Sequence, residues 1–272
     1  MNPFEKTVSR LADTLVLLDE VDSTNEYCKS DEIKGDVVVK ARRQLAGRGR
    51  MGRRFYSDEG GFYISYCFIP RDKIPAERFL PITGMCASVV LDAVKNTCGI
   101  SPKIKWTNDI LLDERKICGI LTESVISGGG DMEKLIIGIG INTNQGREAF
   151  SELCNIASSI YVLSGEKVNE EELLLSLSQG IFRVYDALCT GDEELMRYHV
   201  ENYRDNCMTI GREVSILSPH LCGGEDPRVV FEKDPRRFPT ARAVDIDEAF
   251  GLVLQCPDGQ KKTVTFGEVS VR

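Results

Sequence analysis

The sequence predicts an α+β protein, a larger domain of interleaved strands and helices followed by a small β-barrel. Three observations predict it. Two long stretches, 76–97 and 168–188, carry apolar residues close to a 3.6 period, among them Ile82, Met85, Val89 and Val90 in the first and Leu173, Leu177, Ile181 and Val184 in the second. Short apolar runs with β-like composition, such as 36–41, 62–69 and 135–141, lie before and between them. After Cys207 the helical period disappears, and five short β runs follow within about 60 residues, the spacing of a small barrel.

Taken in order, residues 14–18 read as a strand. Ser23 or Thr24 caps a helix that has Glu26 in its first turn and reaches Lys29. Residues 36–41 enter, and 62–69 leave, a segment rich in glycine and arginine. The stretch 76–97 is expected to be one helix, stopped by Gly99. Residues 103–106 form a strand, Thr107-Asn108-Asp109 a turn, 110–112 a short apolar run and Asp113-Glu114-Arg115 a second turn. The strand 116–125 follows with Gly119 inside it, a sign that something approaches its backbone. Gly128-Gly129-Gly130-Asp131 then turns the chain into 135–141. Residues 168–188 and 192–206 are the next helices. The barrel strands are 213–217, 241–246, 251–255, 263–266 and 269–271, with a Pro257-Asp258-Gly259 hairpin turn. Residues 218–240 hold Pro219, Pro227, Pro235 and Pro239 and read as a long exposed loop. The expected domains are therefore 1–207 and 208–272, with an insertion at 218–240.

A chain of 272 residues buries a full core, and its 42% hydrophobic and 28% charged residues are ordinary for a globular protein. A net charge of −8 disfavours unspecific nucleic-acid binding by the protein as a whole. The ten cysteines are scattered with no C-x-x-C pair, which argues against structural zinc and for a reducing compartment. Residues 1–10 contain no apolar run, and no stretch is long enough to span a bilayer. The expected location is cytoplasmic.

Against this acidic background Gly47 to Ser57, GRGRMGRRFYS, is a local exception. Arg48, Arg50, Arg53 and Arg54 alternate with Gly47, Gly49 and Gly52, so guanidinium groups and close-approaching backbone face the same ligand. The string satisfies G-x-G-x-x-G, yet no helix follows the third glycine, as dinucleotide binding requires. It also has P-loop glycine spacing, but Arg53 and Arg54 replace the phosphate lysine and the magnesium hydroxyl. Two readings remain, a loop that closes over a small anion and a basic arm that binds nucleic acid.

Five segments taken together resemble one family. They are Asp22-Ser23-Thr24-Asn25; Gln44-Leu45-Ala46 with Gly47 to Arg53; Lys105-Trp106-Thr107-Asn108-Asp109; Lys116-Ile117-Cys118-Gly119-Ile120-Leu121-Thr122-Glu123; and Gly138-Ile139-Gly140-Ile141-Asn142. In order and spacing they resemble the biotin protein ligases, and the resemblance extends to Phe250-Gly251-Leu252, Asp258-Gly259 and Gly267-Glu268-Val269-Ser270 near the C-terminal end. It implies a mixed β-sheet with helices, of the kind shared with class II aminoacyl-tRNA synthetases, followed by an SH3-like barrel. The implied reaction joins biotin to ATP as biotinyl-5′-AMP and then transfers biotin to one lysine of a biotin carboxyl carrier protein. Lipoate–protein ligases share the fold and are the alternative within the superfamily.

The resemblance assigns roles residue by residue. Ser23, Thr24, Asn25, Gln44, Arg48, Gly49, Arg50 and Lys116 match biotin-contacting positions, with Gly119 and Gly138 leaving room for the rings. Arg53, Asn108 and Asn142 match positions near ATP or the adenylate. Lys116, Arg50 and Lys105 are the implied catalytic cations, since joining a carboxylate to an α-phosphate opposes two anions. Mg²⁺ is expected to share the phosphate charge, with Asp109 as the nearby carboxylate. The glycine-arginine loop is also expected to order over the adenylate and keep water from it. Phe55 stands where the family usually has Trp, and Thr107 where it usually has Pro. The chain begins a few residues before the first catalytic strand, so no DNA-binding domain is expected. Homodimers are common in the family, and no residue here selects a surface for one.

Overall fold

The computed structural model describes residues 2–70, 75–128, 131–217, 222, 226–265 and 267–271. Its first sheet has seven strands, β1 (Leu15–Val21), β2 (Val37–Gln44), β3 (Phe62–Phe68), β4 (Lys103–Lys105), β5 (Asp109–Leu112), β6 (Arg115–Ile126) and β7 (Met132–Ile141). Their order is β1-β2-β3-β7-β6-β5-β4; β1 runs parallel to β2, and every other pairing is antiparallel. The sheet is thus mixed, as expected. β3 lies near its middle and is buried along its whole length, on both faces.

The long helices α3 (Ile82–Cys98), α5 (Glu170–Thr190) and α6 (Glu193–Asn206), the latter two following a short α4 (Ile160–Ser164), pack together over one face. Their apolar stripes meet β3 there: Phe182 stands edge-on to Tyr66, and Tyr185 stacks on Phe68 with ring centroids 4.0 Å apart. The helix caps follow sequence chemistry. Asn169 and Asp192 accept from the first-turn amides of α5 and α6, and Gly99 closes α3 in the left-handed region at φ 66°. On the other face the short α2 (Thr24–Lys29) packs on β2, β3 and β7 around Cys28, Val39, Cys67 and Ile136.

The structure departs from the sequence reading in three places. Residues 3–14 form a helix, α1 (Pro3–Thr14), because Asn2 and Glu5 make a reciprocal capping box and Pro3 suits the first helical turn. The expected helix 76–97 is interrupted. A 3₁₀ turn, Ala76–Phe79, precedes α3, and Pro81, lacking an amide proton, sits at the start of α3 rather than inside a helix. The segment 218–240, expected to be an exposed loop, contains α7 (Pro227–Lys233) and a 3₁₀ turn, Pro235–Arg237. Val230 and Phe238 are buried there with Leu217 and Cys222, so the segment carries a small core of its own. Gly129, Gly130, Pro219 and Phe266, which fall within the predicted turn, loop and strand, lie outside the described residues.

The second sheet is antiparallel, β8 (Glu213–Leu217), β9 (Thr240–Ile246), β10 (Leu252–Gln255), β11 (Lys261–Val264) and β12 (Glu268–Val271) in the order β11-β10-β9-β8-β12. This barrel-like unit docks through the turn before β10. Phe250 is buried, stands edge-on to Tyr203 of α6, and accepts the Trp106 indole N–H on its carbonyl at 2.9 Å. Tyr203 in turn donates to the Thr107 carbonyl at 2.8 Å. The Trp106–Asn108 turn is therefore braced from α6 and from the second sheet. The ten cysteines are free, and among the described residues no helix is long and apolar enough to cross a membrane.

Candidate active site

β2, β6 and β7 end beside the glycine-arginine loop, and a cavity of about 690 Å³ opens there. Ser23, Thr24, Asn25, Gln44, Arg48, Gly49, Arg50, Arg53, Lys105, Asn108, Asp109, Lys116, Gly119, Gly138 and Asn142 all line it. The topology explains the convergence. β6 and β7 place Gly119 opposite Gly140 on adjacent strands, β5 brings Asp109 opposite Gly119, and the parallel pairing of β1 with β2 sets Val21 beside Gln44. The loop doubles back on itself: the Gly49 amide donates to the Arg53 carbonyl at 2.7 Å, and Phe55 to Gly47 at 2.8 Å. Gly47 is obligatory, because a Cβ there would stand 2.4 Å from both the Phe55 carbonyl and Ser57 Oγ.

One wall is a network of neutral polar groups. Ser23 caps α2, and Gln44 Oε1 accepts from the Thr24 amide at 2.9 Å while its Nε2 donates to Ser57 Oγ at 2.8 Å. Asn25 donates from Nδ2 to Glu123 Oε2 at 2.9 Å and accepts from Ser65 Oγ at 2.6 Å. Its carboxamide fills the space above Gly138, where a Cβ would come within 2.1 Å of Oδ1. Gly138 therefore makes room for Asn25. The aromatic surface is Phe55, whose ring lies over Gly140 and beside Gly119.

The opposite wall is cationic. Lys116 Nζ pairs with Asp109 at 2.6 Å and lies 5.8 Å from the Phe55 ring centroid. Arg50 donates to Thr107 Oγ1 at 2.9 Å, to Asn108 Oδ1 at 3.1 Å and to the Gly267 carbonyl at 3.2 Å, so it ties the loop both to the 107–108 turn and to the second sheet. Burial lowers its pKa from the ordinary arginine value, an effect opposed by the charge of Asp109. Arg48 is held by Glu26, itself bonded to Lys29 at 2.8 Å, and that hydrogen bond lowers the Glu26 pKa. Asn108 and Asn142 are also braces: Asn108 Nδ2 donates to the Ile120 carbonyl at 2.7 Å, and Asn142 Nδ2 to Ser158 at 3.1 Å.

Asp109, the carboxylate expected near magnesium, is paired with Lys116, and among the described residues no group of three His, Cys, Asp or Glu is placed to hold a metal ion. Sequence reading also passed over Glu26, Ser65 and Glu123. Glu123 ends one of the quoted segments, and its charge beside a polar wall was the available signal. The contribution of the second sheet, through Leu217, Gly267 and Val269, and of α7, through Phe231, had no signal in the motifs because it depends on docking.

A mixed sheet whose ends carry a polar wall, a cationic wall and a glycine-rich lid defines an enzyme pocket for a small anionic ligand. Comparison with known proteins gives the family. The Biotin/lipoate A/B protein ligase family pattern matches residues 17–142, and that of the Biotin protein ligase C terminal domain matches residues 228–272. The biotin protein ligase from Aquifex aeolicus, solved in complex with biotin and ATP, superposes with a TM-score of 0.74 at 30% identity over 95% of this chain and 98% of its own. The bifunctional ligase/repressor BirA of Bacillus spizizenii is 39% identical over 161 residues, 57% of this chain and 48% of that protein. The biotin–[acetyl-CoA-carboxylase] ligase of Paracoccus denitrificans is 38% identical over 130 residues, 46% of this chain and 53% of its own. The chain belongs to the biotin protein ligase family. Its match spans about half the length of these curated relatives.

Proposed function

We propose that the chain activates biotin with ATP and transfers it to a lysine of a biotin carboxyl carrier protein. The observation that carries this reading is the convergence of Arg48, Arg50, Arg53, Lys105 and Lys116 on one cavity whose other wall is neutral and polar. Likeness over nearly the full length of a ligase solved with biotin and ATP supports it.

In the first step a carboxylate oxygen of biotin attacks the α-phosphorus of ATP, forming the mixed anhydride and releasing pyrophosphate. Two anions must approach, and negative charge builds on the phosphoryl oxygens. Lys116 and Arg50, both on the cationic wall, screen that approach, and Lys105 and Arg53 serve the phosphates. The Lys116 ammonium exchanges Asp109 for the reacting oxygens when they enter. In the second step a neutral lysine amine of the carrier attacks the acyl carbon, and AMP leaves with the bonding electrons. Magnesium, when present, screens phosphate charge as the counter-ion of ATP. Between the steps the loop from Gly47 to Arg53 excludes water, with Arg50 as its tie to the body of the protein.

Pyrophosphate release from ATP and magnesium, with and without biotin and with lipoate in parallel, tests the first step. Mass spectrometry of an added carrier domain tests the second. Biotin-dependent release and one biotinyl adduct are expected. Release that depends on lipoate alone overturns the reading in favour of the sister ligases.

A further inference from the structure

We infer that Glu114, held on a strained hairpin turn at the rim of the cavity, is the carboxylate that meets the ammonium group of the acceptor lysine as the carrier docks. This deepens the biotin ligase reading and rests on it.

β5 and β6 pair through Leu112 and Arg115, so Asp113 and Glu114 alone connect them. Both have positive φ, 48° and 62°. A two-residue hairpin with both φ positive is the type I′ turn, which follows the right-handed twist of its strands and is ordinarily built from Asn-Gly or Asp-Gly. Asp113 suits the first position, because a short polar side chain tolerates the left-handed region. Glu114 does not suit the second. Its Cβ crowds the backbone there, and glycine would take the same φ without strain. Strain of this kind clusters at functional sites, and this turn borders one: Glu114 is exposed and lines the cavity with Leu111 and Lys116 of the same hairpin.

The charges around the cavity point the same way. Four arginines and two lysines line it against three carboxylates, Asp109, Glu114 and Glu232. Asp109 is engaged by Lys116, whereas the carboxylates of Glu114 and Glu232 have no ion pair or hydrogen bond among the described residues. So cationic a cavity suits the carboxylate and the phosphates of the first step. It repels the nucleophile of the second, since a lysine on a carrier surface is an ammonium at neutral pH. The ammonium has to come near the adenylate before it passes its proton to solvent, and an unpaired carboxylate at the rim offsets the repulsion on that path. Glu114 rather than Glu232 takes this place. It precedes Lys116, the cation assigned to the reacting oxygens, by two residues on one hairpin, so an amine drawn to it arrives beside the anhydride; Glu232 stands on α7. Glu114 makes and breaks no bond: the ammonium loses its proton to solvent, and the neutral amine then attacks.

The test uses Glu114→Gly and Glu114→Gln in the whole chain, with Glu232→Gln alongside. Glu114→Gly gives the turn its favoured Asp-Gly pair and is expected to raise the thermal midpoint by about 2 °C or more, so a loss of transfer in it is not a loss of fold. Both Glu114 variants should match the parent in biotin-dependent pyrophosphate release and in biotin hydroxamate formed with hydroxylamine, an amine that is neutral at neutral pH. Transfer to the carrier should fall at least about threefold in kcat/KM at low ionic strength, with the difference closing at ~0.5 M salt. A carrier whose acceptor lysine is replaced by methionine should inhibit the parent and Glu114→Gln equally. The inference is overturned by unchanged transfer at low salt, by an equal loss with hydroxylamine, by slower pyrophosphate release, by weaker inhibition of Glu114→Gln by the methionine carrier, by a lower midpoint in Glu114→Gly, or by the salt-dependent loss appearing in Glu232→Gln instead. No pyrophosphate release or carrier labelling by the unmutated chain defeats the biotin reading itself, and this inference with it.

Discussion

The ring of Phe250 occupies the space that a side chain on Gly84 would need: a Cβ there would come within 2.2 Å of it. Phe250 belongs to the turn before β10 and Gly84 to the first turns of α3, so this contact seats the barrel-like unit on the larger sheet's helical layer. The same residue's carbonyl takes the Trp106 indole proton, which links the seat to the turn that carries Asn108 and Asp109.

That contact predicts a reversed sign. Alanine in place of glycine inside a helix ordinarily stabilises by about 1 kcal/mol. Gly84→Ala is expected to destabilise instead, because the methyl group and the Phe250 ring cannot share the space. Phe250→Ala should cost about 3–5 kcal/mol through loss of buried ring contacts. Urea denaturation of both variants is the check, and a Gly84→Ala protein more stable than the parent would refute the docking described.

Gly138→Ala makes the second prediction. The new Cβ displaces the Asn25 carboxamide, breaking its bonds to Ser65 and Glu123 at the polar wall. Biotin affinity should fall more than about tenfold, since several polar groups are left unpaired at once. Calorimetry with biotin measures it; an affinity within twofold of the parent would show that the wall is not organised by Asn25.

Much of this arrangement was legible in the sequence, and for identifiable reasons. The residues of the cavity sit in short segments whose spacing and chemistry are local, such as Gly47 to Arg53 and the Lys105–Asp109 turn, so reading them needed no tertiary information. The two long amphipathic helices declared themselves by period. What could not be read depends on who meets whom. That Gly138 lies beneath Asn25 is not legible, because nothing in the sequence says that a residue more than a hundred positions earlier packs over it. The pairing of Asp109 with Lys116 is not legible either, because it crosses between β5 and β6 beside a register shift. Two signals were present and passed over: Asn2-Pro3 with Glu5, which caps α1, and Pro81, which interrupts the helix expected over 76–97.

His199 predicts a pH dependence of stability. It is buried between α6 and α3, with Nδ1 2.9 Å from Ser88 Oγ and Asp92 and Arg183 on the neighbouring helices. Burial, aided by the charge of Arg183, pushes its pKa down to about 4. The unfolded chain, with an ordinary histidine, binds the proton first as pH falls, so this group's contribution is fully present above pH 6.5 and is lost on acidification toward pH 4. The full loss is about 3 kcal/mol. His199→Gln should remove that part of the slope in unfolding free energy between pH 6.5 and pH 4. A variant with the parent's slope would place the titration elsewhere.

Arg50 predicts a leak. Its guanidinium ties the loop to Thr107, to Asn108 and to the Gly267 carbonyl of the second sheet. Arg50→Gly cuts all three ties and adds backbone freedom, so an adenylate formed beneath the loop escapes to water and to bystander amines. Biotinylation of an unrelated protein such as albumin should rise at least about tenfold over the parent enzyme, with slower transfer to the carrier. Bystander labelling no faster than the parent's would mean that other contacts hold the lid.

Lys116 and Asp109 separate the proposed reacting cation from its holder. Lys116→Met removes the charge proposed to meet the phosphoryl oxygens and should lower biotin-dependent pyrophosphate release by about 10²–10³-fold, the range for losing one preorganised transition-state donor. Asp109→Asn leaves the lysine in place. It removes a competitor for the ammonium as well as its anchor, so two opposed effects act: looser positioning lowers the rate, while easier release of Lys116 to an incoming anion favours binding. The expected outcome is a fall of about tenfold in kcat with a KM for biotin that is unchanged or lower, a split that simple loss of structure does not produce. If Asp109→Asn instead costs as much as Lys116→Met, the carboxylate takes part in the reaction directly, and its pairing with Lys116 is a resting state rather than the arrangement that turns over.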